Sequence, residues 1–268
     1  MITVTWHALR ETIHRRMGLA VIVLALLVPG FLMWKANFRH APDGRVMVTM
    51  GGVELAAQAF VQGTLGALLG MSQQLWTWVG IFAAAPLLTS YLEKGWAEMQ
   101  FAKGLPRWQF LMGRYLASVL VFGLSLFCLA GLPALYLGLR TGISTRSYFG
   151  ALALGVFNFA VLAAVMALVS IQQAPTALPT LTAFLTMLLS AALAGRKETF
   201  FTMISSEWVK SAFDWAYRIL PKSSEVGRAA VVFWQKGAVE DWWPLWSTAL
   251  FLAGALGLAI WSLQRKSF

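Results

Sequence analysis

The sequence is poor in charged residues and in cysteine, and each shortage argues against one class of protein. Only 12% of its 268 residues are charged, while 59% are hydrophobic. A soluble domain carries about 25% charged residues, so this balance argues against a large soluble protein. The single cysteine, Cys128, lies in an apolar run and cannot form an intramolecular disulfide. A secreted disulfide scaffold is therefore excluded.

Motifs of the common enzyme classes are also lacking. The sequence contains no G-x-x-x-x-G-K-[ST] loop to hold nucleotide phosphates and no H-E-x-x-H zinc motif. The three histidines do not pair with cysteine or carboxylates at ligand spacing, and the eleven methionines are irregularly spaced, which favours packing roles. No nucleophile–base pair is recognisable, and no chain of carboxylates runs through the apolar segments, which argues against an ion-coupled carrier.

Long apolar runs dominate what is present. Six of them approach or exceed the length that crosses a bilayer, at 17–34, 75–92, 110–138, 148–171, 175–194 and 243–263. The thirteen tryptophans and eighteen phenylalanines are typical of a protein with aromatic belts at the membrane surfaces. We therefore predict an all-α polytopic integral membrane protein with about six transmembrane helices, forming one transmembrane domain over residues 1–268.

Polar residues between and within these runs predict further elements. Residues 1–16 show helical amphipathicity and predict an interfacial helix. Glu54, Gln58 and Gln62 recur every four residues, which predicts the polar face of an outer amphipathic or re-entrant helix within 35–74. Segment 196–241 predicts extracytoplasmic amphipathic helices, the first starting after Ser206. Asn158 is the most polar residue near mid-span, and hydrogen bonding between helices is favoured over substrate contact.

The excess of positive charge has a membrane explanation. The net charge is +10, but the basic residues are scattered between apolar runs, so we expect contact with anionic lipid and not with nucleic acid. With both ends inside, the inner segments hold nine Lys and Arg and the outer segments twelve, seven of them within 196–236. This runs against the positive-inside tendency. A re-entrant 175–194 would move those seven inside, and both topologies stay open.

The most informative stretch is the charged segment at residues 90–117, which lies between two apolar runs. Each charge placed at the bilayer centre costs roughly 2.5–3.5 kcal/mol on insertion scales, so the segment must project into water. Lys94, Lys103, Arg107 and Arg114 favour the cytoplasmic side. A solvated connector and a docking helix for a soluble partner are the two interpretations.

This segment resembles the cytoplasmic loop of ABC-2-type transporter permeases, which reads E-x-G-T-L-E-x-L-L-S-x-P-x-S-R, followed by apolar residues and G-K-x-L. The matching positions are Glu93, Gly95, Glu98, Arg107, Gly113, Arg114 and Leu116. Three positions depart from the pattern: Trp96 stands in place of Thr, Gly104 in place of Pro, and Pro106 in place of Ser.

The resemblance implies a function and partners. It implies six spans with both termini cytoplasmic, in the inner (plasma) membrane. It also implies a second permease copy or homologue and two separate ATPase subunits, so that ATP and magnesium bind the partner and this chain binds no cofactor. Residues 93–108 would form the coupling helix, whose named positions are Glu93, Gly95, Trp96, Glu98, Lys103, Gly104, Leu105, Pro106 and Arg107.

The rest of the chain indicates a class of substrate and leaves two other functions open. Spans rich in Leu, Ala and Phe suit a lipid-like or amphipathic substrate, with export favoured over import. Two other functions stay open: an ATP-independent carrier or channel, and a membrane scaffold or assembly factor.

Overall fold

The computed structural model describes residues 5–6, 16–35, 37–40, 46–50, 53–89, 106–172, 175–195 and 206–266. Over these residues the protein is mostly helical, with one small sheet. The helices are α1 (Arg16–Lys35), α2 (Ala57–Met71), α3 (Thr77–Thr89), α4 (Arg107–Leu126), α5 (Leu132–Thr141), α6 (Arg146–Ser170), α7 (Ala177–Ala194), α8 (Glu207–Ile219), α9 (Ser223–Lys236) and α10 (Trp243–Arg265).

Two pairs of these helices are continuous rods. A π-helical turn at Ser72–Trp76 joins α2 to α3, and another at Phe127–Gly131 joins α4 to α5. Such turns insert one extra residue into a helix and are frequent at functional sites. The first rod begins at Ala57, so the predicted boundary of a separate span at residue 75 falls inside a continuous helix.

Among the described residues, four helical segments are long and apolar enough to cross a membrane, judged by length and composition. They are Arg107–Thr141, Arg146–Ser170, Ala177–Ala194 and Trp243–Arg265. They correspond to the predicted runs at 110–138, 148–171, 175–194 and 243–263. The predicted first run coincides with α1, a helix of 20 residues. The membrane-protein class is therefore supported, whereas a count of six spans is not established.

An antiparallel sheet replaces part of the predicted outer helix. Strands β1 (Asn37–His40), β2 (Val46–Met50) and β3 (Val53–Ala56) pair in the order β1-β2-β3. Val48 lies opposite both Phe38 and Leu55, and it is fully buried. The ring of Phe38 meets Tyr136 of α5 edge-on at 6.0 Å, which packs the sheet against the end of the second rod.

Helix α6 is the centre of the bundle. It packs against α3, α4, α7, α9 and α10. On one face Phe159 stacks on Phe122 of α4, with ring centroids 3.9 Å apart. Gly80 of α3 makes this close approach possible, because a Cβ atom there would lie 2.4 Å from the Phe122 ring.

The segment before α10 forms two helices, as the amphipathic pattern predicts. Ser206 precedes α8 as predicted, although its side chain makes no capping hydrogen bond. No residue of α8 is buried, and Trp208, Trp215 and Ile219 are all highly exposed. An exposed amphipathic helix of this kind is typical of a membrane interface. Helix α9 differs, because it inserts beside α6 and buries Val226 and Ala230.

Candidate functional site

The candidate site is a cavity of about 740 Å³ between the first rod, α6, α7 and α9. A volume of this size is typical of small-molecule pockets in proteins. Its apolar lining comprises Gly70, Trp78, Phe82, Phe184, Met187, Leu188, Ala191, Gly227 and Val231. Its polar lining comprises Gln73, Gln74, Asn158, Ser223, Ser224 and Arg228.

The first π-helical turn places Gln73 against this cavity. Hydrogen bonds brace the turn: Trp76 Nε1 donates to Ser125 Oγ at 3.1 Å, and Thr77 Oγ1 donates to the carbonyl oxygen of Ser72 at 3.1 Å. The Gln73 amide passes between α6 and α9 where both carry glycine. A Cβ atom at Gly155 would lie 3.1 Å from Gln73 Nε2, and one at Gly227 would lie 3.6 Å from Gln73 Oε1.

Several buried polar atoms around the cavity have no hydrogen-bond partner within the described part of the chain. They are Gln73 Nε2 and Oε1, Asn158 Oδ1 and Ser223 Oγ. Asn158 is 5% exposed and Ser223 only 2%. Leaving a buried donor or acceptor unpaired costs about 1–3 kcal/mol, so native proteins rarely keep several such atoms together. The residues that carry these atoms all line the cavity, which makes it the candidate binding site.

Asn158 lines the cavity instead of lying only between packed helices. Hydrogen bonding between helices was the expected role, but its Oδ1 atom makes no such bond among the described residues and the side chain lines the cavity. The hydroxyls of Ser118, Ser125 and Ser170 behave differently, because each donates to a carbonyl three residues earlier in its own helix. A hydroxyl can satisfy itself in this way, whereas the longer amide of Asn158 projects away from its own helix.

Aromatic side chains form the apolar wall. The Phe184 ring of α7 lies 5.9 Å from Trp78 and 5.3 Å from Phe82, both of α3. These edge-on and tilted contacts are favourable geometries for aromatic pairs. They hold α3 and α7 at a separation that leaves the cavity open beside them.

A second polar cluster lies at the C-terminal end of α6. Arg107 Nη1 donates to carbonyl oxygens in the last turn of α10, including that of Leu263 at 3.4 Å. Lys266 Nζ donates to the carbonyl oxygen of Ile171, just after α6. Burial lowers the pKa of the Lys266 ammonium group. The start of α4 is thereby tied to the ends of α6 and α10.

Arg114 differs from the expectation that the charged segment projects into water. Its side chain is 4% exposed, and Nη1 donates to the carbonyl oxygen of Leu87 at 3.0 Å. The guanidinium lies over the Phe110 ring at 5.6 Å. Arg114 therefore links α4 to α3 inside the bundle.

The other predicted site residues do not meet at the cavity. The coupling positions at 93–105 lie outside the described residues, as do most of residues 1–16, while Pro106 and Arg107 open α4. Glu54 lies on β3, so it cannot share a helical face with Gln58 and Gln62 of α2. All three side chains are exposed and none lines the cavity.

Sequence reasoning missed Gln73, Ser223 and Arg228. The signal for Gln73 was present, since Gln73 and Gln74 are the strongest polar interruption between the apolar stretches on either side. No such signal exists for Ser223 or Arg228, which lie in a generally polar segment.

The described residues contain no group of three or more His, Cys, Asp or Glu side chains that could hold a metal ion. In comparisons with known proteins, no family model matches this chain and no curated protein matches it.

Proposed function

We propose that this chain is the membrane-spanning subunit of an ATP-driven transporter of the ABC-2 type and that it carries an amphipathic substrate, with export as the direction. The observation that carries the proposal is the cavity, which brings unpaired polar groups beside an aromatic wall inside a bundle of apolar helices. Polar groups are costly on a helix that faces only lipid, whereas they commonly line a transport path. The charged segment at 90–117 supports the ATP-driven class by its resemblance to the permease loop.

The contacts around Arg107 supply a route from the charged segment to the cavity. Residues 93–105 lead directly into α4, and Arg107 bonds to the last turn of α10. Both α4 and α10 pack against α6, which carries Asn158. A partner ATPase that displaces the segment would move α4 and α10 together and shift α6 against α9. Such rigid-element movement between two packed arrangements is a recognised way to alternate access to a site.

Lipid and a second copy of the chain are the proposed membrane partners. Helix α7 exposes a row of leucines, including Leu181, Leu185 and Leu189, and α10 exposes Leu250 and Leu258. These faces suit hydrocarbon or another apolar helix. ATP and magnesium are assigned to separate ATPase subunits in the cytoplasm.

An ion-coupled carrier is less well supported. Coupling ions need carboxylate or comparable ligands inside the membrane. Among the described residues, the cavity lining includes no aspartate or glutamate. A scaffold without transport activity is addressed by the experiments below.

The decisive experiment reverses charge in the proposed coupling helix. We expect Glu93→Lys combined with Glu98→Lys to abolish co-purification of the ATPase, because like charges placed together at an interface cost several kcal/mol. A matched control reverses two exposed acidic residues on other parts of the chain, Glu54→Lys with Glu240→Lys, and should leave the association intact. Both proteins should reach equal membrane abundance. Undiminished ATPase binding and transport in the first variant would refute the docking role.

The sidedness of the chain is testable by cysteine labelling. In a Cys128→Ser background, we expect Ser211→Cys on α8 to react with an impermeant thiol reagent in intact cells. Gln100→Cys should react only after the inner face is opened. Labelling of position 211 only from the inside would reverse the proposed orientation of the segment 196–241.

A further inference from the structure

The cavity separates apolar and polar surfaces along the first rod. Phe82 follows Gln73 by nine residues, which corresponds to about 13 Å along a helix axis. The Phe82 end carries the aromatic wall shared with Phe184, and the Gln73 end carries the polar groups of α6 and α9. A ligand that fills this cavity must therefore place a hydrocarbon part at one end and a polar head at the other.

The polar end is positively charged. Arg228 is exposed on the cavity wall, and no described carboxylate forms an ion pair with it. The one acidic residue in the first turn of α9, Glu225, accepts a hydrogen bond from the Tyr217 hydroxyl at 2.8 Å and does not line the cavity. Helix α9 begins at Ser223, so the positive end of its dipole lies at the same place. This electrostatic arrangement favours an anionic head group.

The unpaired atoms require a ligand that both donates and accepts hydrogen bonds. Gln73 Nε2 is a donor, Gln73 Oε1 and Asn158 Oδ1 are acceptors, and Ser223 Oγ can act as either. A carboxylate or the phosphodiester group by itself offers only acceptors, so it would leave the acceptors of the protein unpaired. A head group that also carries hydroxyls supplies both donors and acceptors.

We propose that the cavity binds an anionic amphiphile whose head group carries hydroxyls, such as a phosphoglycerol lipid. Its acyl chain lies along Trp78, Phe82 and Phe184. Its head bonds with Gln73, Asn158 and Ser223, and its phosphate faces Arg228. The binding site is argued from the cavity alone, while the identity of this lipid as the transported substrate rests on the proposed function.

The test measures lipid retention by the purified chain in a neutral detergent, using native mass spectrometry at equal lipid concentrations. The probes are phosphatidylglycerol, phosphatidylcholine and glycerophosphoglycerol, which has the head without the chains. We expect one phosphatidylglycerol to be retained per chain, with at least tenfold weaker binding of the other two probes. Arg228→Gln and Asn158→Leu should each weaken phosphatidylglycerol binding about tenfold, as expected for loss of a charge-assisted or buried hydrogen bond.

Matched variants separate local from general effects. Arg146→Gln removes an exposed arginine from α6 outside the cavity, and Ser170→Ala removes a buried hydroxyl that bonds only to its own helix in the described structure. Both should bind phosphatidylglycerol like the unaltered chain. Because Arg228 is exposed, its variant should fold even if Asn158→Leu does not.

Three results would overturn the inference. Equal retention of phosphatidylcholine would contradict an anionic preference, and equal retention of glycerophosphoglycerol would indicate a free-anion site instead of an amphiphile site. Unchanged binding in both Arg228→Gln and Asn158→Leu would place the lipid elsewhere. ATPase co-purification, measured in parallel, keeps the two proposals distinct: failed lipid binding with intact ATPase association refutes only the ligand, and the reverse refutes only the transporter assignment.

Discussion

Asn158 and Phe159 are neighbours on α6, yet their side chains meet opposite surroundings. The Phe159 ring is fully buried and stacks on Phe122 at 3.9 Å above Gly80. The Asn158 amide lines a cavity of about 740 Å³, and within the described chain its Oδ1 has no hydrogen-bond partner. Consecutive residues of a helix point about 100° apart, so one helix can hold the bundle together with one face and line a site with another.

The two faces also differ in what they contribute to stability. The Phe159 face gains from buried apolar area and close ring contacts. The Asn158 face carries buried polar atoms that cost about 1–3 kcal/mol each when unpaired. Proteins keep such costs where a ligand or a mechanism needs them. The contrast therefore distinguishes the scaffold from the site within a single helix.

The largest expected effect on stability comes from the face of α6 that carries Phe159. Phe159→Ala should lower the free energy of unfolding by about 3–5 kcal/mol, because it removes a large buried ring and leaves a void beside Phe122. Denaturant unfolding in detergent measures the change. Leu181→Ala, at an exposed position of α7, serves as the control and should change stability far less. Equal losses in both variants would contradict the packing role of Phe159.

Gly80→Ala should break the same contact by crowding it. Its Cβ would lie 2.4 Å from Phe122 and 3.0 Å from Phe159, so the stacked rings must shift. We expect a loss of about 1–3 kcal/mol, which exceeds the helix-propensity gain from Gly to Ala. Gly123→Ala is the matched control, because its Cβ makes only an ordinary contact at 3.6 Å with Val156. A melting temperature for Gly80→Ala at or above that of the control would refute this account.

Asn158→Leu tests the face of α6 that lines the cavity. It removes an unpaired buried acceptor, so we expect stability to be unchanged or to rise by up to about 1–3 kcal/mol, even as lipid binding weakens. The measurement is the same unfolding assay. A loss of more than about 1 kcal/mol would instead restore the hydrogen bond between helices that the sequence suggested.

The smallest effect concerns the turn that positions Gln73. Thr77→Val removes the hydrogen bond to the carbonyl oxygen of Ser72 and should cost about 0.5–1.5 kcal/mol. Thr186→Val removes a similar bond to Thr182 in regular helix α7, where backbone bonding is already complete, and should cost less. Both are read by thermal unfolding. If Thr77→Val leaves stability and lipid binding untouched, the hydroxyl does not hold the turn.

The small sheet shows why sequence reasoning placed a helix where strands lie. The four-residue spacing of Glu54, Gln58 and Gln62 suggested one helical face, but the helix starts only at Ala57. Strand signals were present in the β-branched residues Val46, Val48 and Thr49. The flanking pairs Asp43-Gly44 and Gly51-Gly52 are typical of tight turns. The spacing of three polar residues cannot distinguish a helical repeat from a strand repeat when the segment contains both a strand and a helix.

The apolar runs by themselves determined that this is a mostly helical chain with helices long and apolar enough to cross a membrane, because hydrocarbon demands about twenty apolar residues and internal backbone bonding. The sequence also located four of those helices within a few residues. Only the tertiary structure decided which polar residues share a site. Gln73, Asn158 and Ser223 are far apart in the chain. They converge because α9 packs beside α6 and the π-helical turn places the Gln73 amide between Gly155 of α6 and Gly227 of α9. No local pattern encodes that approach, since it depends on how three helices pack at once.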